Sequence, residues 1–262
     1  MTASEALLTV ERLDKTFVRR GRGGTDELKV LDGIDVTAGR REFVTIIGPS
    51  GCGKSTLLNC IAGLTTFDAG SIVLDGRSIS GPGDDRSVVF QHASLLPWYS
   101  VEKNVAYGLR LRRDVPRGEI RDRVAAAIHL VGLDGFEHHF PHEISGGMQQ
   151  RVNLARALAV DAKLVLMDEP FGALDALTKE ALQDELSGMI DRYDRATIFI
   201  THDIREAVFL GDKVIVMSAR PGRIVKEIEV SFPRPRSRDL TLTPEFEGVV
   251  ADLRQLLNAQ VA

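Results

Sequence analysis

The sequence predicts an α/β protein with an open parallel sheet at its core, a small antiparallel β-layer ahead of that sheet and a helical insertion within it. Three observations carry this expectation. Residues 43–47, 164–167, 197–200 and 214–217 form short apolar runs that do not alternate and end in polar or turn residues, as strands buried on both faces do. Between the second and third runs lies a helical pattern, 177–193, with Leu182, Leu186, Met189 and Ile190 at helical spacing. The first run leads through a glycine-rich turn into another helical pattern near Lys54, which gives the βαβ rhythm of a parallel sheet.

Taken in order, residues 8–17 and 71–74 have strand composition and no helical period of their own, so they are assigned to the antiparallel layer. The span 115–132 opens on Pro116, carries Val124, Ile128 and Val131 on one stripe and stops at Gly132, which marks a helix. A further helix is expected over 145–159, capped by Ser145. These helices place the insertion at about 92–160 within a domain spanning 6–232. Pro233-Arg234-Pro235-Arg236 then reads as a stiff basic linker opening a C-terminal segment, 233–262. Thr243-Pro244-Glu245 caps an amphipathic helix with Phe246, Val249, Val250, Leu253, Leu256 and Leu257 on one stripe, a pattern that more often packs on a core than receives a partner.

The turn after the first strand is Gly48-Pro49-Ser50-Gly51-Cys52-Gly53-Lys54-Ser55, a complete phosphate loop between strand and helix. Glycines let successive N–H groups face phosphate oxygens, and the helix adds its positive end at the same point. Lys54 is expected on the β/γ-phosphates, Ser55 on a bound Mg²⁺ and Thr56 near the α-phosphate. The loop in this setting resembles that of the P-loop NTPases, and the resemblance implies a RecA-like parallel core.

A second set of residues completes such a site. The 164–167 run ends in Asp168-Glu169, so Asp168 is placed to hold Mg²⁺ and Glu169 to position and deprotonate the attacking water. His202 follows the 197–200 run directly and would emerge at the sheet edge where ligands bind, as a γ-phosphate partner. Ser145-Gly146-Gly147-Met148-Gln149 opens the 145–159 helix with a serine cap and two glycines, a second backbone site suited to phosphate.

Composition narrows the context. A net charge of −4 and an isoelectric point near 5.9 give no general attraction to nucleic acid or anionic membrane surfaces. The N-terminus lacks a signal-like pattern and no apolar run reaches the ~20 residues that span a bilayer, so this chain alone is expected to carry nothing across a membrane. Two cysteines, Cys52 and Cys60, suit a reducing compartment and a cytoplasmic location. His138, His139 and His142 precede the Ser145 helix without a nearby cysteine and read as a solvated surface rather than a metal site.

This combination resembles the ATP-binding subunit of ATP-binding-cassette transporters over nearly the whole chain. Ser145-Gly146-Gly147, with Gln149, matches the family's signature, Gln91 its Q-loop glutamine, Ala173-Leu174-Asp175 its D-loop, His202 its switch histidine and Phe17 the aromatic that stacks on adenine. The resemblance implies Gln91 among the Mg²⁺ ligands and in catalysis with Glu169, His202 and Lys54. It also implies a head-to-tail homodimer in which the signature of one copy completes the ATP site of the other, with Asp175 linking the two sites. Ile144, Met148 and Phe17 depart from the family's usual leucine, glutamine and tyrosine, without removing a phosphate-facing N–H or the stacking face.

Leu95-Leu96-Pro97-Trp98, Asn104-Val105-Ala106-Tyr107-Gly108-Leu109, Arg220-Pro221-Gly222-Arg223-Ile224 and Phe232-Pro233-Arg234-Pro235-Arg236 are similar to the importer branch that handles nitrate, taurine and alkanesulfonates. The implication is an ATPase on the cytoplasmic face of the membrane, docked on a separate permease, with an extracytoplasmic solute-binding protein delivering solute. Trp98 and Tyr99 are expected either in the groove that receives the permease or packed in the insertion. The competing reading is a soluble cassette ATPase unconnected with transport.

Overall fold

A computed structural model describes residues 6–21, 24–112, 114–190 and 195–260. Its centre is a sheet of six strands in the order β10–β9–β3–β8–β7–β6: Ile224–Glu229, Lys213–Met217, Phe43–Ile47, Ala196–Ile200, Leu164–Asp168 and Arg86–Val89. The β9–β3–β8–β7–β6 ladders are all parallel and β10 closes one edge antiparallel to β9. Strands β3, β8 and β9 are buried at every position, as their unalternating sequences require.

The antiparallel layer has the order β2–β1–β4–β5, with β1 at Ala6–Gly21, β2 at Gly24–Gly39, β4 at Ala69–Leu74 and β5 at Arg77–Ser78. Helix α1, Lys54–Ala62, packs between the two sheets. Val44 and Ile46 of β3 join Leu8, Val10, Ile34, Leu57 and Leu58 in that core. Phe43 and Ile47 point the other way, into a second core with Phe199, Phe209 and Phe246. The two-residue period of the strand thus serves two cores at once. Burial of each such side chain contributes roughly 1.5–3 kcal/mol.

The expected helical insertion is present as α2, Val101–Val105, α3, Tyr107–Leu111, α4, Arg117–Leu130, and α5, Gly146–Ala159. Helix α6, Ala176–Ile190, leads from β7 towards β8; residues 191–193 of the expected helix, and the side chains of Met189 and Ile190, lie outside the described residues. Helix α7, Ile204–Leu210, joins β8 to β9, and α8, Pro244–Asn258, follows with Thr243 as its cap.

The C-terminal segment is more tightly docked than a linker. Arg236 is buried and donates to the carbonyls of Val208, Phe209 and Gly211 at the end of α7 and to that of Val230, while Arg234 donates to Leu210 O and Asp212. These arginines satisfy the carbonyls that a helix leaves unpaired at its C-terminus. Phe246, Val250 and Leu253 of α8 are fully packed, so that apolar stripe is core.

Candidate functional site

Four neighbouring strands deliver the candidate residues to one edge of the parallel sheet. β3 runs into Gly48, β8 is followed within two residues by His202, β7 ends at Asp168 and leads into Glu169, and β6 is followed within two residues by Gln91. The ladders hold this alignment, with Ile46 and Asp168 both paired to Ile200, and Val89 paired to Met167. Parallel sheets place their ligands at this carboxyl edge.

The phosphate loop is shaped by glycines at two demanding points. Gly51 has φ 74° and Gly53, the cap of α1, has φ 107°, a region that L side chains rarely enter. A Cβ on Gly53 would also stand 2.8 Å from Leu31 Cδ2 and 3.1 Å from the Val30 carbonyl. Lys54 is buried, with its ammonium donating to Gly48 O at 2.8 Å and Pro49 O at 3.0 Å, so the charge is held directly over the loop. Cys52 is buried inside the loop and Cys60 in α1, where burial pushes its thiol up to about 11.

Glu169 Oε2 is the meeting point of the site: Gln91 Nε2 donates to it at 3.4 Å and His202 Nδ1 lies 3.1 Å away. Glu169 takes φ 45°, unusual for a residue with a side chain, and its N–H donates to Ile200 O at 2.9 Å. The backbone bend thus turns the carboxylate out of the strand direction while the ladder still holds its base. Behind it, burial pushes the Asp168 carboxyl above the usual carboxylate range against the pull of its hydrogen bond to the Ser55 hydroxyl. A half-buried carboxyl beside a hydroxyl is a pair of hard oxygen donors that fits Mg²⁺, and the Gln91 amide stands on the neighbouring Glu169.

Other candidate residues sit on separate elements. Ser145 caps α5, its hydroxyl accepting from Met148 N–H, and is exposed, as is Gly146. Gly147 faces Leu174 and Ala173, so the signature turn packs beside the segment that ends in Asp175. Asp175 is itself a cap, accepting from Thr178 N–H at 3.0 Å. Gln149 points back into its own layer and donates to Pro141 O at 2.8 Å. Phe17 is half-exposed on β1 with the Lys15 ammonium 5.2 Å from its ring centroid. Trp98 is 66% exposed and therefore is not packed inside the insertion; it meets Tyr99 edge-on, and Tyr99 meets Tyr107. Buried Asn104 fixes this corner through the backbone of Leu96, Tyr99 and Ser100. His138 and His142 are exposed, His142 stacked on Phe140, while His139 is half-buried against Phe136.

Two contacts beside the candidate site escape a reading of the sequence. Gln150 and Asn153 are buried on α5, and both donate to the carbonyl of Phe90, the residue before Gln91, at 3.1 and 3.0 Å. Arg220 donates twice to Gly51 O, at 3.1 and 3.0 Å, clasping the phosphate loop from the turn after β9. The signal for the first pair is a polar i, i+3 couple on the face of α5 that carries Leu154 and Ala157; Arg220 gives no local signal.

Comparison with known proteins agrees with this geometry. A family model described as ABC transporter matches residues 31–172. A taurine import ATP-binding protein of Rhizobium johnstonii is 48% identical over 234 residues, covering 87% of this chain and 89% of that protein. An aliphatic sulfonates import ATP-binding protein of Bacillus cereus is 44% identical over 232 residues, 88% of this chain and 89% of its own. A nitrate import ATP-binding protein of Synechococcus elongatus is 43% identical over 256 residues, 97% of this chain but 38% of that longer protein. Among solved structures, a dimeric ATP-binding cassette in a post-hydrolysis state, bound to ADP and Pi, superposes with a TM-score of 0.76 at 29% identity, covering 86% of this chain and all of that one.

Proposed function

The chain belongs to the ABC transporter family as an ATP-binding cassette that hydrolyses ATP, and from that premise we propose that it powers a membrane permease importing a small anion such as nitrate, taurine or an alkanesulfonate. The observation that carries the catalytic half is Glu169 Oε2, bonded to Gln91 and 3.1 Å from His202 at the sheet edge that also holds the phosphate loop. The import half rests on the relatives' names and on the exposed aromatic corner of Trp98, Tyr99 and Tyr107, which offers a rigid apolar surface to a permease. No helix of the described residues is long and apolar enough to cross a membrane, so in this reading the translocation path belongs to the permease.

In the proposed mechanism, Phe17 stacks on adenine and the loop N–H groups of Gly48–Ser55, with Lys54 and Thr56, bind the phosphates. Ser55, Asp168 and Gln91 would hold Mg²⁺, which when bound neutralises charge on the β- and γ-phosphate oxygens. Glu169 orients the attacking water and takes its proton, and His202 donates to the γ-phosphate. Ser145, Gly146, Gly147 and Gln149 of a second copy close over the same ATP, so closure of a head-to-tail homodimer follows nucleotide binding. Asp175 joins the two sites across that interface.

The test is capture of tagged Glu169→Gln chain from detergent-solubilised membranes with Mg-ATP, then reconstitution of the captured complex with wild-type chain in vesicles. Recovery of a multi-span protein and ATP-dependent uptake of taurine, an alkanesulfonate or nitrate supports the reading. Recovery of soluble proteins alone would favour a cassette ATPase unconnected with transport. A periplasmic or lipid-anchored solute-binding protein is the further partner that the import reading requires.

A further inference from the structure

The turn that carries His202 is held from both sides by a buried polar network that reaches the C-terminal segment. Thr201 is 2% exposed and its hydroxyl donates to the Glu206 carboxylate. Asp203 caps α7 through Arg205 and Glu206 N–H, and its other oxygen accepts from Lys179 Nζ at 2.8 Å. The same ammonium lies 3.3 Å from Glu206 Oε1, which also accepts from Gln183 Nε2 at 2.7 Å. One cation therefore serves two carboxylates, one of them, Glu206, buried and pushed above its usual range by that burial. Lys179 also faces the other way along the chain, since its backbone N–H donates to Asp175 O at 2.9 Å. Gln183 in turn accepts from Arg238 at 3.0 Å, and Arg238 donates to Glu180 O and lies over the Phe209 ring, 4.5 Å from its centroid.

We propose that Lys179 and Glu206 are positioning residues for His202, and that Arg238 extends this control to residues 233–258, so that docking of the C-terminal segment sets the geometry of the switch turn. This rests on the reading of His202 as the γ-phosphate partner. The side chain of His202 itself is 68% exposed and meets Glu169, while both its neighbours are pinned by the network. Loosening Arg238 frees Gln183, which then competes less well for Glu206. The Thr201 hydroxyl and the Asp203 cap lose their fixed anchor, and the imidazole loses its aim.

The test uses the full chain and two readouts. Steady-state ATP turnover is measured for wild type, His202→Ala, Arg238→Ala and Arg238→Lys. Ring resonances of the six histidines are followed by NMR, with His202 assigned from the His202→Ala spectrum. For Arg238→Ala the expected result is a kcat about 10-fold lower with KM for ATP within about twofold, a shifted or broadened His202 signal, the other histidines unchanged, and partial recovery in Arg238→Lys. The inference is overturned if kcat and the His202 signal both stay at wild-type values. It is equally overturned if kcat and thermal midpoint fall while KM rises, with all histidine signals disturbed, which is the mark of a merely structural role. Full turnover in His202→Ala would instead remove the reading of His202 on which the inference rests, and is scored separately.

Discussion

Glu169 and His202 stand 3.1 Å apart, carboxylate Oε2 to imidazole Nδ1, although 33 positions separate them in sequence. The contact follows from the sheet, because β7 and β8 are adjacent and in register, with Asp168 opposite Ile200. Replacing the carboxylate with an amide keeps the shape and removes the group proposed as the base. Glu169→Gln is therefore expected to retain ATP binding, measured with a fluorescent analogue, while turnover falls ~10²-fold or more. Near-normal turnover would remove Glu169 from the role of base.

Lys54→Met should abolish measurable turnover and weaken ATP binding, because the ammonium poised over the Gly48 and Pro49 carbonyls is the one charge built into the loop itself. Calorimetric titration with ATP reads the loss of affinity, and an unchanged melting midpoint in a thermal scan shows the integrity of the fold.

The Arg220 clasp makes a prediction at a distance in sequence. Arg220→Ala removes two hydrogen bonds to Gly51 O, each worth about 1 kcal/mol. KM for ATP should rise several-fold with kcat less affected. Gly222→Ala should do more, since its Cβ would stand 2.2 Å from the Cys52 carbonyl and the loop would have to shift. ATP affinity equal to wild type in both variants would sink the clasp.

Arg236→Met leaves the α7 carbonyls of Val208, Phe209 and Gly211 without their buried donor. A loss of about 3 kcal/mol in urea unfolding is expected, concentrated in unfolding rather than in ATP affinity. A change below about 0.5 kcal/mol would show that these carbonyls find other partners.

Cys60 supplies a pH test. Its thiol is raised from 9.0 to about 11 by burial, so the folded chain holds that proton where the unfolded chain releases it. Its contribution is fully present below pH 9 and is lost as pH rises towards about 11. Urea midpoints measured across that window should decline, and decline less steeply in Cys60→Ala.

Much of this architecture is legible in the sequence because buried parallel strands are short, unbroken and terminated abruptly. Phe43–Ile47 has the bounds that the sequence assigns, and the polar residues that end β7 and β8 lie at the edge where spacing put them. Strand β2 was harder to read: Gly24–Gly39 mixes exposed polar residues with apolar ones, includes Gly33 at φ 62°, and pairs with β1 through several register shifts. Proline and arginine at 233–236 read as a stiff basic linker, since charge usually seeks water, whereas here the guanidinium groups meet the end of α7. Gln150 and Asn153 resemble ordinary helix polarity until the carbonyl of Phe90 is seen opposite them. Such pairings join distant segments, and no local pattern encodes them.

The strand order has one further effect on how the site can move. Glu169 and His202 grow from β7 and β8, each flanked by a ladder on both sides, and the phosphate loop grows from β3, which is flanked likewise. Gln91 follows β6, the border strand, which has β7 as its single neighbour. Sliding that border costs half the ladder bonds of sliding an inner strand, and its end is leashed to α5 through Phe90. Helix α5 thus grips the backbone beside Gln91 at the least-anchored corner of the site, whereas Glu169, His202 and the phosphate loop stand on strands clamped from both sides.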